Sequence, residues 1–294
     1  MRSRVAFVLI LVTAGIAGDR PISEPPGGVV VETVLQGLAA DRAGFQEGDV
    51  VLAWKRGESK GEIQSPFDIH AVDIEQSLLG SVAFEGFRGA EKHIWTLKWG
   101  LQTRPVLSEP VLSIYREGRE LAGKRQLAEA AASFSLAAEK ARRLQPAWLA
   151  SWLLSQAGEL LVESQRWKEA DVAYQQALDF ATETGPLIVS QLLEQRAEAF
   201  QRRQEWSSAE KYHLLALAKR RQLNPESLGV AESLMSLAEN AWHREDLDKT
   251  EGYILQALAI REKLIPESLS VAWCVNDLGL IAWRKGDLAK AESY

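Results

Sequence analysis

A self-match within the C-terminal half of the chain constrains its fold more than any other feature. Residues 224–231 read NPESLGVA, and the same pattern returns at residues 265–272 as IPESLSVA, after an interval of about 40 residues. A match at a fixed period is the signature of stacked repeats, in which each copy buries its apolar face against the next copy. The sequence therefore predicts an array of similar units and not a single compact core.

Small residues recur at the same interval and predict helices that pack closely in pairs. One set falls early in the predicted second helix of each pair: Ala130, Ala170, Ala209, Thr250 and Ala291. Another set falls in the predicted first helix: Gly118, Gly158, Ala197, Ala238 and Gly279. Two helix axes only about 8–10 Å apart leave no room for longer side chains at such positions. We therefore predict an all-α solenoid over residues 111–294, with about four complete repeats and a truncated fifth.

The period, the paired small positions and the Pro-Glu-Ser-Leu-x-Val-Ala connector together resemble the tetratricopeptide repeat, in particular its longer, kinesin light chain-like form. The resemblance covers roughly residues 112–294 and implies antiparallel helix pairs that stack into a right-handed superhelix. It also implies that an extended peptide binds in a concave groove lined by the first helix of each pair.

The preceding region, residues 29–99, has the mixed pattern of a small α+β or mostly-β domain. Apolar and β-branched runs predict strands at 29–35 and 50–54, a helix is predicted within 65–79, and a hairpin is predicted from 81–87 and 92–99. Residues 100–110 are predicted to be a linker, so the chain is predicted to be multidomain.

A motif within this small domain resembles the PDZ family. Residues 43–51 read AGFQEGDVV and match that family's Ala-Gly-Φ-x-x-Gly-Asp-Φ-Φ pattern, where Φ is apolar, directly after a strand and a helical turn. The resemblance implies a PDZ-like domain that binds peptide C-termini by adding a strand to an exposed sheet edge. In bacterial members the binding strand precedes the strand equivalent to 29–35, where this chain has only the segment 19–28.

The first residues have the pattern of an export signal. Arg2 and Arg4 precede an apolar run at residues 5–16, and small residues allow cleavage after Ala17. The run is shorter than the ~20 residues that a helix needs to span a bilayer, so a signal peptide at 1–17 is favoured over an uncleaved anchor. The sequence then predicts a linker at 18–28, a periplasmic or secreted bacterial protein, and no integral membrane span after signal removal.

On the tetratricopeptide alignment, the predicted groove is acidic with aromatic anchors. Its candidate peptide-binding residues are Trp152, Glu159, Glu163, Glu194, Glu198, Arg202, Glu239, Trp242, Asn276 and Trp283. Such a surface suits a protein or peptide partner with basic and apolar side chains. The alternative is that these residues form solvated helix faces with i,i+4 ion pairs such as Glu198–Arg202.

The sequence predicts no catalytic residue, no metal site and no cofactor. The histidines do not stand at metal-ligand spacing, and His213 occupies an apolar position of a second helix, which predicts a packed side chain. A net charge of −6 and a pI of about 5.5 argue against a nucleic-acid partner. Cys274 lies in an apolar helical run and is interpreted as a buried hydrophobe.

These observations favour a protein–protein interaction scaffold and not an enzyme. The alternative is the regulatory N-terminal half of a larger enzyme, because exported repeat proteins of this kind often continue into a module that resembles CHAT-type caspase-like peptidases. The truncated fifth repeat would leave the apolar face of the preceding helix uncovered, which makes self-association through that repeat a further expectation.

Overall fold

A computed structural model describes residues 27–143 and 146–294 and consists of an antiparallel sheet domain followed by a series of paired helices. The predicted signal segment 1–17 and most of the linker 18–28 lie outside the described residues. No helix in the described ranges combines the length and the apolar character that a membrane crossing requires.

The N-terminal domain is built on an antiparallel sheet whose strands follow the order β5-β4-β2-β1-β6, with β3 paired to β2. Its elements are β1 (Val29–Thr33), α1 (Ala39–Arg42), β2 (Val50–Arg56), β3 (Ser59–Glu62), α2 (Pro66–Glu75), β4 (Val82–Arg88), β5 (Glu91–Leu97) and β6 (Gln102–Pro105). A 3₁₀ turn at Ser77–Leu79 follows α2. The sheet and the predicted hairpin agree with the prediction from sequence, whereas β3 was not predicted.

The sixth strand departs from the sequence prediction. Gln102–Pro105 falls within the segment predicted as a linker, yet it pairs antiparallel with β1, with Val30 opposite Arg104. The polar composition of this strand and its proline give no strand signal, but proline is tolerated on an edge strand where no partner needs its N–H. The sheet domain therefore ends at Pro105 and leaves only a short connection to the first helix of the solenoid.

The residues that carry the PDZ resemblance form the tight corner between α1 and β2. Gly44 and Gly48 both adopt positive φ, at 81° and 93°, a conformation that glycine reaches without strain. Asp49 is 1% exposed and forms an ion pair of 2.7 Å with Arg88, whose Nη2 also donates to the Gly44 carbonyl. Asp49, the acidic residue of the motif, thus connects this corner to strand β4 through Arg88.

The remaining helices form five sequential pairs in the described residues. Their bounds are α3 (Val111–Gly123), α4 (Leu127–Ala141), α5 (Ala147–Glu163), α6 (Trp167–Phe180), α7 (Pro186–Arg202), α8 (Trp206–Leu223), α9 (Leu228–His243), α10 (Leu247–Leu264), α11 (Leu269–Arg284) and α12 (Leu288–Ser293). This arrangement confirms the predicted solenoid.

Small residues lie where the helices of a pair approach most closely, as the periodicity predicts. Ala130, Ala170, Ala209 and Thr250 are no more than 2% exposed. A methyl group on Gly118 would lie 2.6 Å from the ring of Phe134, and one on Gly158 would lie 2.9 Å from the ring of Tyr174. The aromatic residue of the second helix therefore fills the space that the glycine of the first helix leaves open.

Candidate functional site

Helix α2 of the N-terminal domain lies on the surface formed by the first helices of the pairs, α5, α7, α9 and α11, which we call the first-helix face. Phe67 of α2 is 3% exposed and belongs to the same buried cluster as Trp152 of α5. Gln191 of α7, which is also buried, donates from Nε2 to the Phe67 carbonyl at 2.9 Å. The two domains therefore share apolar core and not only a covalent connection.

A carboxylate at the end of α2 caps helix α9. The two oxygens of Glu75 accept hydrogen bonds from the backbone N–H groups of Leu228 and Gly229, at 3.0 and 2.8 Å. The first N–H groups of a helix have no partner within the helix, and its N-terminus favours negative charge. A side chain at Gly229 would interfere, because its Cβ would lie 2.6 Å from Glu75 Oε1.

A cavity of about 430 Å³ lies between α2 and the first-helix face, and we call it the seam cavity. Its α2 wall consists of Pro66, Phe67, His70 and Ile74, and the solenoid contributes Trp152, Glu159, Gln191, Glu194, Gln195, Glu198, Arg220, Glu232 and Ser236. The structure thus brings four of the sequence-predicted groove residues together: Trp152, Glu159, Glu194 and Glu198.

Two of these four residues are less accessible than the sequence suggests. Trp152 is 6% exposed and packs its ring against Tyr115 at a centroid distance of 5.8 Å. Glu194 is buried, and its carboxylate binds His213 Nδ1 at 2.7 Å and the Ser233 hydroxyl at 2.6 Å. Glu194 thus lines the seam cavity, but its oxygens are already used in hydrogen bonds within the protein.

The hydrogen bonds around Glu194 also keep it ionised. Burial by itself would raise the pKa of Glu194, but the hydrogen bond with His213 and the charge of Arg220 outweigh burial and lower this pKa. Arg220 in turn donates to the Gly229 carbonyl and to Ser233, both at 2.8 Å. His213 is fully buried, as predicted for a packed histidine.

Glu159 and Glu198 are the free carboxylates of the seam cavity. Neither has a hydrogen bond or an ion pair within 4 Å among the described residues, and the predicted Glu198–Arg202 pair does not form there. Both residues are exposed, and their side chains line the open part of the cavity. The walls of the cavity partly exclude water from both carboxyls, and this desolvation raises the pKa of each. The charge of Glu194 raises the pKa of Glu198 further.

A second cavity of about 430 Å³ lies further along the solenoid, and we call it the α9–α11 cavity. Glu239 and Trp242 line it, together with the apolar side chains of Met235, Leu280 and Ile281. The guanidinium of Arg284 lies 4.8 Å from the centre of the Trp242 ring. This cavity combines an acidic edge with an apolar floor.

The other predicted site residues line neither cavity. Glu163 forms an ion pair of 2.7 Å with Arg125, which joins the first repeat to the second. Arg202 and Asn276 are exposed, and Trp283 is 61% exposed. The sequence alignment therefore placed these residues on the correct helices but did not resolve which of them share a cavity.

Sequence reasoning missed the contribution of the N-terminal domain to this surface. The helix predicted within 65–79 was assigned only to the small N-terminal domain, and no pattern indicated that its residues Phe67, His70, Ile74 and Glu75 face the solenoid. One signal was available: Gly229 stands where the next repeat has Ser270, and this substitution in the repeat pattern marks the site where Glu75 approaches.

Comparisons with known proteins agree with this fold. Residues 230–294 match the family described as tetratricopeptide repeat. Among solved structures, BtubC (BKLC) from P. vanneervenii is similar with 24% identity and a TM-score of 0.52, over 62% of this chain and 76% of that chain. A putative kinesin light chain with TPR-like repeats from Podospora anserina is similar with 16% identity and a TM-score of 0.50, over 64% of this chain and 93% of that chain.

The apo form of RapI is similar with 15% identity and a TM-score of 0.54, over 63% of this chain. The match spans 51% of RapI, so this chain corresponds to about half of that protein's length. A search of the curated proteins found no match. These likenesses establish a tetratricopeptide-type fold for the helical region and leave the activity to be inferred from the surface itself.

Proposed function

We propose that this protein is a protein-interaction scaffold whose first-helix face binds peptide segments with basic and apolar side chains. The observation that carries the proposal is that Glu159 and Glu198 are unpaired carboxylates beside the apolar side chains of the seam cavity. The α9–α11 cavity repeats this combination with Glu239, Trp242 and Met235. Complementary charge favours both the encounter with such a peptide and its register along the face.

We further infer that the N-terminal domain is a PDZ-like module that assists the solenoid. The motif at residues 43–51 supports this inference, as does the position of α2 beside the face that would receive the peptide. In this arrangement the N-terminal domain acts next to the solenoid groove, and the contact through Phe67 keeps the two together.

The substitution Glu198→Lys tests the proposal. It reverses a charge that faces the seam cavity and has no internal partner, so the domain remains folded while the attraction for a basic peptide is lost. The probe is a set of synthetic peptides with alternating Lys or Arg and Leu residues, compared with peptides in which Glu replaces each basic residue. Fluorescence polarisation would show at least about tenfold weaker binding of the basic peptides to Glu198→Lys.

The matched control is Glu139→Lys, which makes the same charge change on the exposed surface of the second helix α4. This control should bind like the wild type, and circular dichroism should show that both variants remain folded. Equal affinity of the Glu198→Lys and Glu139→Lys variants, or equal binding of acidic and basic peptides, would refute the proposal.

A further inference from the structure

Helix α2 is held on the solenoid by contacts of three chemical kinds. Phe67 is part of the buried apolar cluster, its carbonyl accepts from Gln191, and Glu75 caps α9 through two N–H groups. The second residue of α9 is a glycine, which leaves room for the Glu75 carboxylate. A helix that is fixed in this way forms a permanent wall of the seam cavity.

Three side chains of the cavity carry acceptor atoms without a partner among the described residues. The carboxylates of Glu159 and Glu198 have no internal partner, and the buried Oε1 of Gln195 has no hydrogen-bond partner among the described residues. A buried polar atom without a partner costs free energy, so a ligand that donates to it gains that free energy on binding. The cavity therefore offers unpartnered acceptors, and negative charge is in excess among its lining residues.

The positive charges nearby leave these carboxylates without a direct partner. The charge of Arg202 lowers the pKa of both Glu159 and Glu198, but Arg202 forms no ion pair with either within 4 Å among the described residues. Arg220 already donates to Gly229 and Ser233, and the only histidine of the cavity wall in the described residues is His70. Removal of water lowers the pKa of His70, and the charge of Arg220 lowers it further, so His70 is neutral at neutral pH. Glu232 differs from the free carboxylates because it pairs with Arg261 at 3.2 Å.

The aromatic residues narrow the choice of ligand. Trp152 and Phe67 line the cavity from opposite domains. A guanidinium group is planar, remains charged, stacks on aromatic rings and presents five N–H donors in a fixed fork. An ammonium group has three donors and is more strongly hydrated, so it is the poorer match for separate acceptors beside aromatic rings.

We propose that the seam cavity is an arginine-binding pocket built jointly by α2 and the solenoid, with Glu159, Glu198 and Gln195 as acceptors. The pocket rests on the proposed function, because it would receive an arginine side chain of the bound peptide. Helix α2 is thus a component of the binding site, and arginine is the residue that the protein selects.

The test uses the whole chain and three small probes: the methyl esters of Nα-acetylated arginine, lysine and citrulline, in which only the side chain can carry a charge. The side chain of citrulline has nearly the shape of the arginine side chain but carries no charge. Binding is followed by NMR through the indole N–H signal of Trp152, which is assigned with the variant Trp152→Phe. The arginine ester should shift this signal in a saturable way, the lysine ester should bind more weakly, and the citrulline ester should leave the signal unchanged.

Variants then test the acceptors and the wall separately. The double variant Glu159→Gln/Glu198→Gln should weaken binding of the arginine ester at least about tenfold, whereas Glu139→Gln should not. Glu75→Gln removes the charge that caps α9 without touching the pocket, and it should also weaken binding. Its control is Glu58→Gln in an exposed turn of the same domain.

Two results would overturn the pocket: equal shifts with the arginine and citrulline esters, or an unchanged affinity in the Glu159→Gln/Glu198→Gln variant. An effect of that variant without any effect of Glu75→Gln would overturn the part assigned to α2. These outcomes are distinct from failure of the scaffold proposal, since basic peptides that bind without regard to arginine would support the scaffold and refute the pocket.

Discussion

At the scale of single residues, the turn inside each helix pair follows one rule. Five residues at equivalent positions adopt positive φ between 59° and 81°: Arg125, Gln165, Gln204, Glu245 and Gly286. At each turn the N–H of this residue and the next N–H bond back to carbonyls of the preceding helix, as in Gln204 to Gln201 and Glu205 to Phe200. This is the Schellman motif, and glycine is its preferred residue.

Only one of the five turns has that preferred residue, so the others carry strain. We expect Gln204→Gly to raise the free energy of unfolding by about 1 kcal/mol, because a left-handed conformation costs a non-glycine residue about 1–2 kcal/mol. The reverse change, Gly286→Gln, should lower it by a similar amount. Urea denaturation measures both. The control Gln176→Gly, inside the exposed part of α6, should destabilise the protein, and a gain there would contradict this explanation.

A second residue-scale prediction concerns Asp73 of α2. Loss of water raises the pKa of Asp73 to about 6, in spite of hydrogen bonds from the Gly100 backbone and from Ser77. A folded-state pKa above the ordinary 3.8 means that the folded protein favours the protonated acid. The stability from this group is therefore present at low pH and is lost as the pH rises through about 6.

We accordingly expect Asp73→Asn to raise the melting temperature at pH 8, where the wild type carries a poorly hydrated charge, since the amide oxygen can still accept from Gly100. The gain should disappear near pH 4, and thermal melts across this range would measure it. An equal gain at both pH values would show that charge is not the cause. Asp179→Asn, on the exposed surface of α6, is the control for the substitution itself.

At the scale of elements, the repeats provide internal controls for helix packing. Gly158 and Gly279 occupy equivalent positions in the first helices of two repeats. A methyl group on Gly158 would lie 2.9 to 3.1 Å from three atoms of the Tyr174 ring, whereas one on Gly279 meets no atom closer than 3.6 Å. The ring of Tyr174 is 3% exposed, so any shift of the ring must displace the side chains packed around it.

Gly158→Ala should therefore lower the free energy of unfolding by about 1–3 kcal/mol through overpacking. Gly279→Ala should be neutral or stabilising by up to about 1 kcal/mol, because alanine favours the helix more than glycine does. Denaturant unfolding of both variants checks this contrast. Similar effects at the two sites would indicate that helix propensity, and not contact with the tyrosine ring, decides the outcome.

The same comparison of elements shows what a sequence can and cannot predict. The helix pairs follow from positions such as Gly158 and Ala170, because close packing needs small residues at a fixed interval. Strand β6 has no such local pattern and forms only because β1 offers a partner. The α2 contact joins Phe67 to Gln191, residues far apart in the chain, so no periodicity within either segment predicts it. Hydrogen-bond partners from other helices leave no local pattern either. The sequence could therefore assign the candidate carboxylates to helices, but it could not tell which of them form internal hydrogen bonds, as Glu194 does.

At the scale of the whole molecule, one glycine of the solenoid leaves room for a contact between the two domains. Gly229 lies under Glu75, and the equivalent position in the next repeat is Ser270, where no carboxylate caps the helix among the described residues. The Gly229 carbonyl accepts a hydrogen bond from Arg220, and the Ser270 carbonyl accepts one from Arg261. In both cases the arginine lies on the preceding helix. The two sites differ mainly in the presence of the N-terminal domain.

We expect Gly229→Ala to displace Glu75 and to weaken the contact between the domains by about 1.5–3 kcal/mol, the typical contribution of hydrogen bonds to a charged group. Hydrogen exchange of the α2 amides should accelerate, while exchange in α5 and α6 should not change. The matched variant Ser270→Ala also places alanine at the second position of a helix and should leave α2 unaffected. Unchanged exchange in Gly229→Ala would mean that the Glu75 cap does not hold the domains together.

The pairing of β1 with β6 also determines how the molecule responds to a mechanical load. Val29 lies opposite Pro105, so the chain enters and leaves the sheet domain at the same end of one antiparallel ladder. Tension between the N-terminal segment and helix α3 would pull these two strands apart from that end and break their hydrogen bonds one pair at a time, like a zipper. We expect a protein pulled between these two points to lengthen first by separation of β6 from β1, with loss of the hydrogen bond from Tyr115 of α3 to Glu32 of β1.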